Sequence, residues 1–121
     1  MFDVLVTTGA GNIAIGAYSL QNNTIGYGNV TIGGMGNNSA GYDNISMGGT
    51  SLYNNTTGYR NVAIGELSLN SNNSGYRNVA VGEQSLLNNY TGYFNTGIGH
   101  FTGNSVSSNI GMVIIGAGAN A

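Results

Sequence analysis

Cysteine, proline, tryptophan and lysine are absent from this 121-residue chain, and arginine occurs only twice. Each absence removes a class of explanation. Without cysteine there are no disulfides and no thiolate metal sites, so packing and backbone hydrogen bonds must hold the fold. Without proline every backbone N–H is free to join a ladder, as an uninterrupted sheet requires. Two arginines cannot form the cationic stripe that displaces counterions from nucleic acid, nor the basic face of a membrane-surface helix. No apolar run is long enough to span a bilayer. Nucleic acid and membrane insertion are therefore not expected among its partners. The formal net charge is −2, yet 40% of the residues are hydrophobic, which does not fit the high charge and low apolar content of a disordered chain. The opening residues Met1-Phe2-Asp3-Val4-Leu5-Val6 lack the basic start and long apolar core of a signal peptide. That pattern suits a piece of a longer protein, or one released by another route such as lysis.

What is present is a repeat. An Asn-Val-Ala-Ile-Gly motif starts at Asn12, Asn29, Asn44, Asn61, Asn78 and Asn95, in steps of 17, 15, 17, 17 and 17 residues. One more step of 17 reaches Met112, where Met-Val-Ile-Ile-Gly keeps the apolar pattern without the Asn. These seven starts divide residues 1–121 into a single repeat domain. Other columns keep the register. Tyr27, Tyr42, Tyr59, Tyr76 and Tyr93 each follow a glycine, and Asn23, Asn38, Asn55, Asn72 and Asn89 each stand three residues before that glycine. Ser-Leu recurs at Ser19-Leu20, Ser51-Leu52, Ser68-Leu69 and Ser85-Leu86. The short unit replaces Gly16-Ala17-Tyr18-Ser19-Leu20 with Gly33-Gly34-Met35-Gly36, and a local pinch or bulge is expected there.

The unit is rich in Asn, Gly, Thr and β-branched residues, all poor helix formers, and is far shorter than two-helix repeats of about 33 to 47 residues. It suits one coil of an all-β, parallel β-solenoid, or β-roll, of about seven 17-residue coils. Val62 and Ile64 alternate with small residues, as in a strand with one buried face. The Val and Ala columns are both compatible with burial, so the inward face stays open. Ser-Leu supplies a second apolar point, expected on a second short strand, and Gly and Asn turn the chain. Coils stacked about 4.8 Å apart place identical residues above one another. The Asn columns then become amide ladders and the tyrosines an aromatic ladder, in a rod about 30–35 Å long.

The string Gly58 to Gly99, GYRNVAIGELSLNSNNSGYRNVAVGEQSLLNNYTGYFNTGIG, resembles the head repeats of YadA-like trimeric autotransporter adhesins. It is closer still to the 17-residue repeats of phage tail-fibre proteins, because the autotransporter heads favour shorter units. The resemblance covers roughly residues 9 to 116. It implies a left-handed parallel β-roll, three of which associate side by side. It also implies attachment to a cell-surface receptor or glycan, from a virion or a bacterial surface, and no catalysis. The thin core of such a coil is marginal without extra burial, which the side-by-side homotrimer implied by the resemblance would supply; the alternative is a monomer held by its ladders alone.

Candidate chemical groups are few: Asp3, Asp43, Glu66, Glu83 and His100. Glu66 and Glu83 share a column, as do Arg60 and Arg77, and are expected to be solvated positions balanced across a turn or a subunit boundary rather than an acid/base pair. A lone histidine without cysteine or acidic neighbours is a poor metal site. Val113-Ile114-Ile115-Gly116-Ala117-Gly118 imitates a dinucleotide-binding turn but falls on the repeat register and lacks the helix and later acid that such a turn needs. No metal, cofactor or enzymatic activity is expected. The Asn-x-Ser/Thr sequons arise from composition. Variation concentrates in two columns, Gly28, Asp43, Arg60, Arg77, Phe94 and, after the motif glycine, Ala17-Tyr18 through His100-Phe101. Such columns are expected to face solvent, which makes Arg60, Arg77, Phe94, His100 and Phe101 the candidate receptor contacts. Replacing Phe94 and Phe101 by Ser is expected to weaken ligand attachment and spare folding; unchanged attachment would sink that assignment.

Three functions fit the pattern. The first is a segment of a trimeric attachment fibre. The second is an extracellular filament subunit, since Val4-Leu5-Val6 and Val113-Ile114-Ile115 place uncapped apolar strands near both ends. The third, an ice-binding solenoid, needs a flat threonine array, and the column Thr24, Ser39, Thr56, Asn73, Tyr90 is too mixed.

Overall fold

A computed structural model describes residues 9–105 and 107–120; Asp3 and the Val4-Leu5-Val6 segment lie outside them. Seven three-residue strands follow one another: β1 Ile13–Ile15, β2 Val30–Ile32, β3 Ile45–Met47, β4 Val62–Ile64, β5 Val79–Val81, β6 Thr96–Ile98 and β7 Val113–Ile115. They form one parallel sheet in chain order. Each strand pairs with the equivalent residues of the next, as in Val62↔Val79, Ala63↔Ala80 and Ile64↔Val81. This is a β-solenoid whose every coil stacks on the previous one in repeat register.

The interior is a hydrogen-bonded stack more than an oily core. Among the described residues sixteen buried side chains are polar and nine are hydrophobic. Burying nine asparagine amides and seven hydroxyls is tolerable only if they are satisfied, and the repeat arranges it. The Asn61 Nδ2 donates to Asn44 Oδ1 at 3.1 Å and to the Gly75 carbonyl at 2.8 Å. Its Oδ1 accepts from the backbone N–H and the Nδ2 of Asn78 at 3.0 and 3.1 Å. The second column behaves alike: Asn55 Nδ2 donates to Asn38 Oδ1 at 2.8 Å and to the Gly58 carbonyl at 3.0 Å. Both amide ladders therefore form as the repeat implies.

The apolar part is one small strand residue facing one leucine per coil. Ala14, Ala63 and Ala80 face inward from the middle of their strands, with Thr31 and Ser46 in the same column, and Leu20, Leu52, Leu69 and Leu86 close the other side. The expected second strand is absent among the described residues. Leucine instead reaches the core from a turn, in the left-handed region at φ 47 to 52. The Leu69 N–H still bonds to the next coil, to the Ser85 carbonyl at 3.0 Å.

The short unit disturbs less than expected. Strands β2 and β3 pair without a bulge, Val30↔Ile45 through Ile32↔Met47. The missing residues come from the corner, and Met35 takes the leucine site, fully buried at φ 56. Gly36 leaves room for the ring of Tyr53 above it, since a Cβ there would stand 2.5 Å from a ring carbon.

Left-handed residues recur elsewhere, and one is β-branched: exposed Thr50 at φ 54. Such a conformation costs about 1–2 kcal/mol outside glycine, partly offset by the extra unfolded-state entropy glycine carries. Thr50→Gly is therefore expected to stabilise the protein by roughly 0.5–1 kcal/mol, read as a higher unfolding midpoint. A lower midpoint would mean that the corner is held by something other than backbone preference.

Candidate functional site, an exposed apolar face

With mostly small residues inward, the larger residues of β1 to β6 point out, as do Val113 and Ile115 of β7, whose middle residue Ile114 is buried. Ile13, Ile45 and Val113 on one row, and Ile32, Met47, Ile64, Ile98 and Ile115 on the other, are exposed, from 38% at Ile64 to 71% at Val113. Val30, Val62, Val79 and Val81 are half-buried in the same two rows. Single exposed apolar residues are ordinary, but a continuous flat array of them is not. The inward parity follows from volume: the small column must fit opposite leucine. At Gly97 an added Cβ would stand 2.8 Å from Leu86 Cγ. Ser, Thr and Gly in the middle column are consistent with this parity, but Ile114 shares the column and the sequence alone does not choose between the faces.

Two corners border the face. Asp43, Arg60, Arg77 and Phe94 lie two residues before β3, β4, β5 and β6, all exposed and all in the left-handed region at φ 53 to 58. Glu66, Glu83 and His100 lie two residues after β4, β5 and β6 and are exposed too, with Phe101 beside His100. The five candidate contact residues thus fall at opposite ends of the strands, Arg60, Arg77 and Phe94 at one corner and His100 and Phe101 at the other. Within the chain their partners run along the columns rather than across a turn. Arg60 Nε stands 3.7 Å from Asp43 Oδ2, with the two side chains 50% and 45% exposed. His100 Nε2 stands 3.6 Å from Glu83 Oε2, and the Arg77 guanidinium lies 5.4 Å from the Phe94 ring centre. Exposed pairs of this length contribute little, about 0–1 kcal/mol.

The tyrosine column forms the ladder the repeat implies. Tyr27, Tyr42, Tyr59, Tyr76 and Tyr93 stack with centroids 4.6 to 4.9 Å apart and planes within 9° of parallel. Their faces cover one another, so the interior rings present edges rather than platforms to a ligand. The Tyr76 phenol is pushed above its ordinary value, chiefly by desolvation and then by Tyr93 and Tyr59, while Arg77 pulls it down. A raised folded-state value means that the unfolded chain gives up this proton first. The stability from the protonated phenol is complete below about pH 10, the unperturbed value, and is lost as pH rises through the folded one. The unfolding midpoint is expected to fall above about pH 10, less so in Tyr76→Phe; equal falls in both proteins would remove Tyr76 as a cause.

Among the described residues there is no enclosed cavity and no group of three metal-ligating His, Asp or Glu side chains. No helix among them is long and apolar enough to cross a membrane. Fold and surface together define a β-solenoid repeat protein with one unpartnered sheet face. No protein-family model, curated protein or solved structure matches this chain.

Proposed function

We propose that this chain is a structural segment of an attachment fibre, a left-handed β-roll that works as a homotrimer on a virion tail fibre or a bacterial surface. The observation that carries the reading is the flat apolar face of Val, Ile and Met on the outside of the sheet. A monomer would leave it in water. Interiors made mostly of one small strand residue and one leucine or methionine per coil bury little apolar area, so further burial between copies adds what the single coil lacks. The repeat resemblance supports the same role, and it is the source of the handedness, the number three and the cellular setting. The surface suits passive recognition and scaffolding rather than catalysis.

Particle mass by light scattering after sizing, with negative-stain images, tests this reading. A discrete mass of three chains in a short rod is the expected result. A monomer at all concentrations would overturn it, and constant-width filaments would transfer the function to end-to-end assembly.

A further inference from the structure

The sheet face alone is a small interface. Three residues across and seven strands tall, it measures about 10 Å by 29 Å, roughly 300 Å² by standard strand spacings. A stable contact covers about 800 Å² per partner, so an assembly built on this face must spread over its two corners. Those corners carry opposite charge at β4 and β5, although the leading column also holds Asp43 one coil before Arg60 and the trailing column continues to His100. The only two cations of the chain, Arg60 and Arg77, both lie in the corner that precedes the strands. Two of the four acids, Glu66 and Glu83, lie in the corner that follows them, on the same two coils. Arg60 and Glu66 flank β4, and Arg77 and Glu83 flank β5. One coil further on, Phe94 and Phe101 flank β6.

Symmetry converts this sorting into a direction. Rotation about an axis parallel to the rod, two-fold or three-fold, brings the leading corner of one copy to the trailing corner of the next on the same coil. Arg60 then meets Glu66, Arg77 meets Glu83, and Phe94 meets Phe101. A two-fold axis across the rod, passing between β4 and β5, puts leading corner on leading corner in reversed coil order, so that Arg60 faces Arg77 and Glu66 faces Glu83. Like charges directly opposed are costly, and complementary ones set register and exclude wrong partners. We propose that the two corners are charge-sorted seams between copies of this chain, holding the rods parallel and in coil register through Arg60–Glu66 and Arg77–Glu83. The proposal rests on the homo-oligomeric reading above and assigns these corner residues to contact between copies rather than to a receptor.

Edge-charge variants of the whole chain test it by sedimentation at low and high salt. Arg60→Glu with Arg77→Glu makes both corners acidic, and Glu66→Arg with Glu83→Arg makes both basic. Each is expected to weaken association about ten-fold or more at low ionic strength, and less at high salt, because two pairs per seam become repulsive. All four substitutions together reverse the corners and are expected to restore association. A purely intrachain role predicts the opposite, since reversal at Arg60 opposes Asp43 within the same column. In the cysteine-free chain, Arg77→Cys with Glu83→Cys is expected to give disulfide-linked multimers on oxidation. The two positions lie six residues apart across an extended strand, beyond the ~7 Å reach of an intrachain bridge. Shifting one cysteine by a coil, Arg60→Cys with Glu83→Cys, is expected to link poorly. A native oligomer whose affinity ignores both edge variants, or which links equally well out of register, overturns the seams and leaves the fibre reading standing. A native monomer overturns both.

Discussion

Gly65→Ala is expected to cost about 3 kcal/mol or more, enough to unfold a protein of ordinary marginal stability at modest temperature. Gly65 sits at φ 125, a region essentially closed to residues with a Cβ. The added carbon would also stand 2.6 Å from the carbonyl carbon of Gly82 and 2.7 Å from its oxygen. Both atoms are backbone of the next coil, so neither rotates away. Relief requires the coils to separate, which breaks the Gly82 N–H bond to Ile64 and its neighbours in the stack. The same column recurs at Gly48, Gly82 and Gly99, each with φ above 120. Gly49→Ala is the matched control. Its Cβ would meet only Glu66 Cγ, at an ordinary 3.8 Å. Chemical unfolding of the two variants side by side decides the matter: if Gly65→Ala unfolds where Gly49→Ala does, the close approach between coils is not what holds glycine in this column.

Asn61→Asp is expected to be nearly as damaging, about 3–5 kcal/mol near neutral pH, although its shape is almost unchanged. The amide in the middle of the ladder uses both of its functions. Its oxygen accepts from Asn78, and its nitrogen donates to Asn44 Oδ1 and the Gly75 carbonyl. A carboxylate keeps the first set and turns the second into oxygen facing oxygen, fully out of water. Burial and those two acceptors push the new carboxyl above its unfolded value of about 3.9. The sign follows: protonation restores one donor, so the variant loses least below about pH 4 and most as pH rises through the folded-state value. Midpoints measured from pH 3 to 8 against the native chain are expected to diverge upward in pH. A constant difference would show that the loss is not electrostatic. Asn61→Ala leaves the Asn78 backbone N–H without its acceptor and a gap beside it, so its loss is expected to be similar in size but independent of pH.

Asn61, Tyr59 and Gly65 are legible from the repeat alone as parts of ladders and turns. A fixed period in a stacked coil makes each residue its own neighbour, so a column of asparagines or tyrosines has few alternatives to laddering. Leu69 was half legible. Its column was apolar and pointed to the core, but its left-handed turn was not, because leucine rarely adopts that conformation and gives no local sign of it. The deletion in the short unit was visible at Gly33-Gly34, yet its confinement to the corner depended on Met35 reaching the leucine site.

The sequence by itself determined the period, the columns, the parallel stacking and the residues of both amide ladders and the aromatic one. These follow from repetition and from hydrogen-bonding capacity, which are properties of the chain. Only the tertiary structure decided that Ala63 points in and that Val62 and Ile64 point out. A strand with period two offers two faces, and the choice between them depends on the width of the coil and on what stands opposite. Here the leucines carried across a narrow interior leave room mostly for small residues, Ala, Ser, Thr or Gly, so the larger side chains of β1 to β6 are turned to the surface, and only β7 places an isoleucine, Ile114, inward.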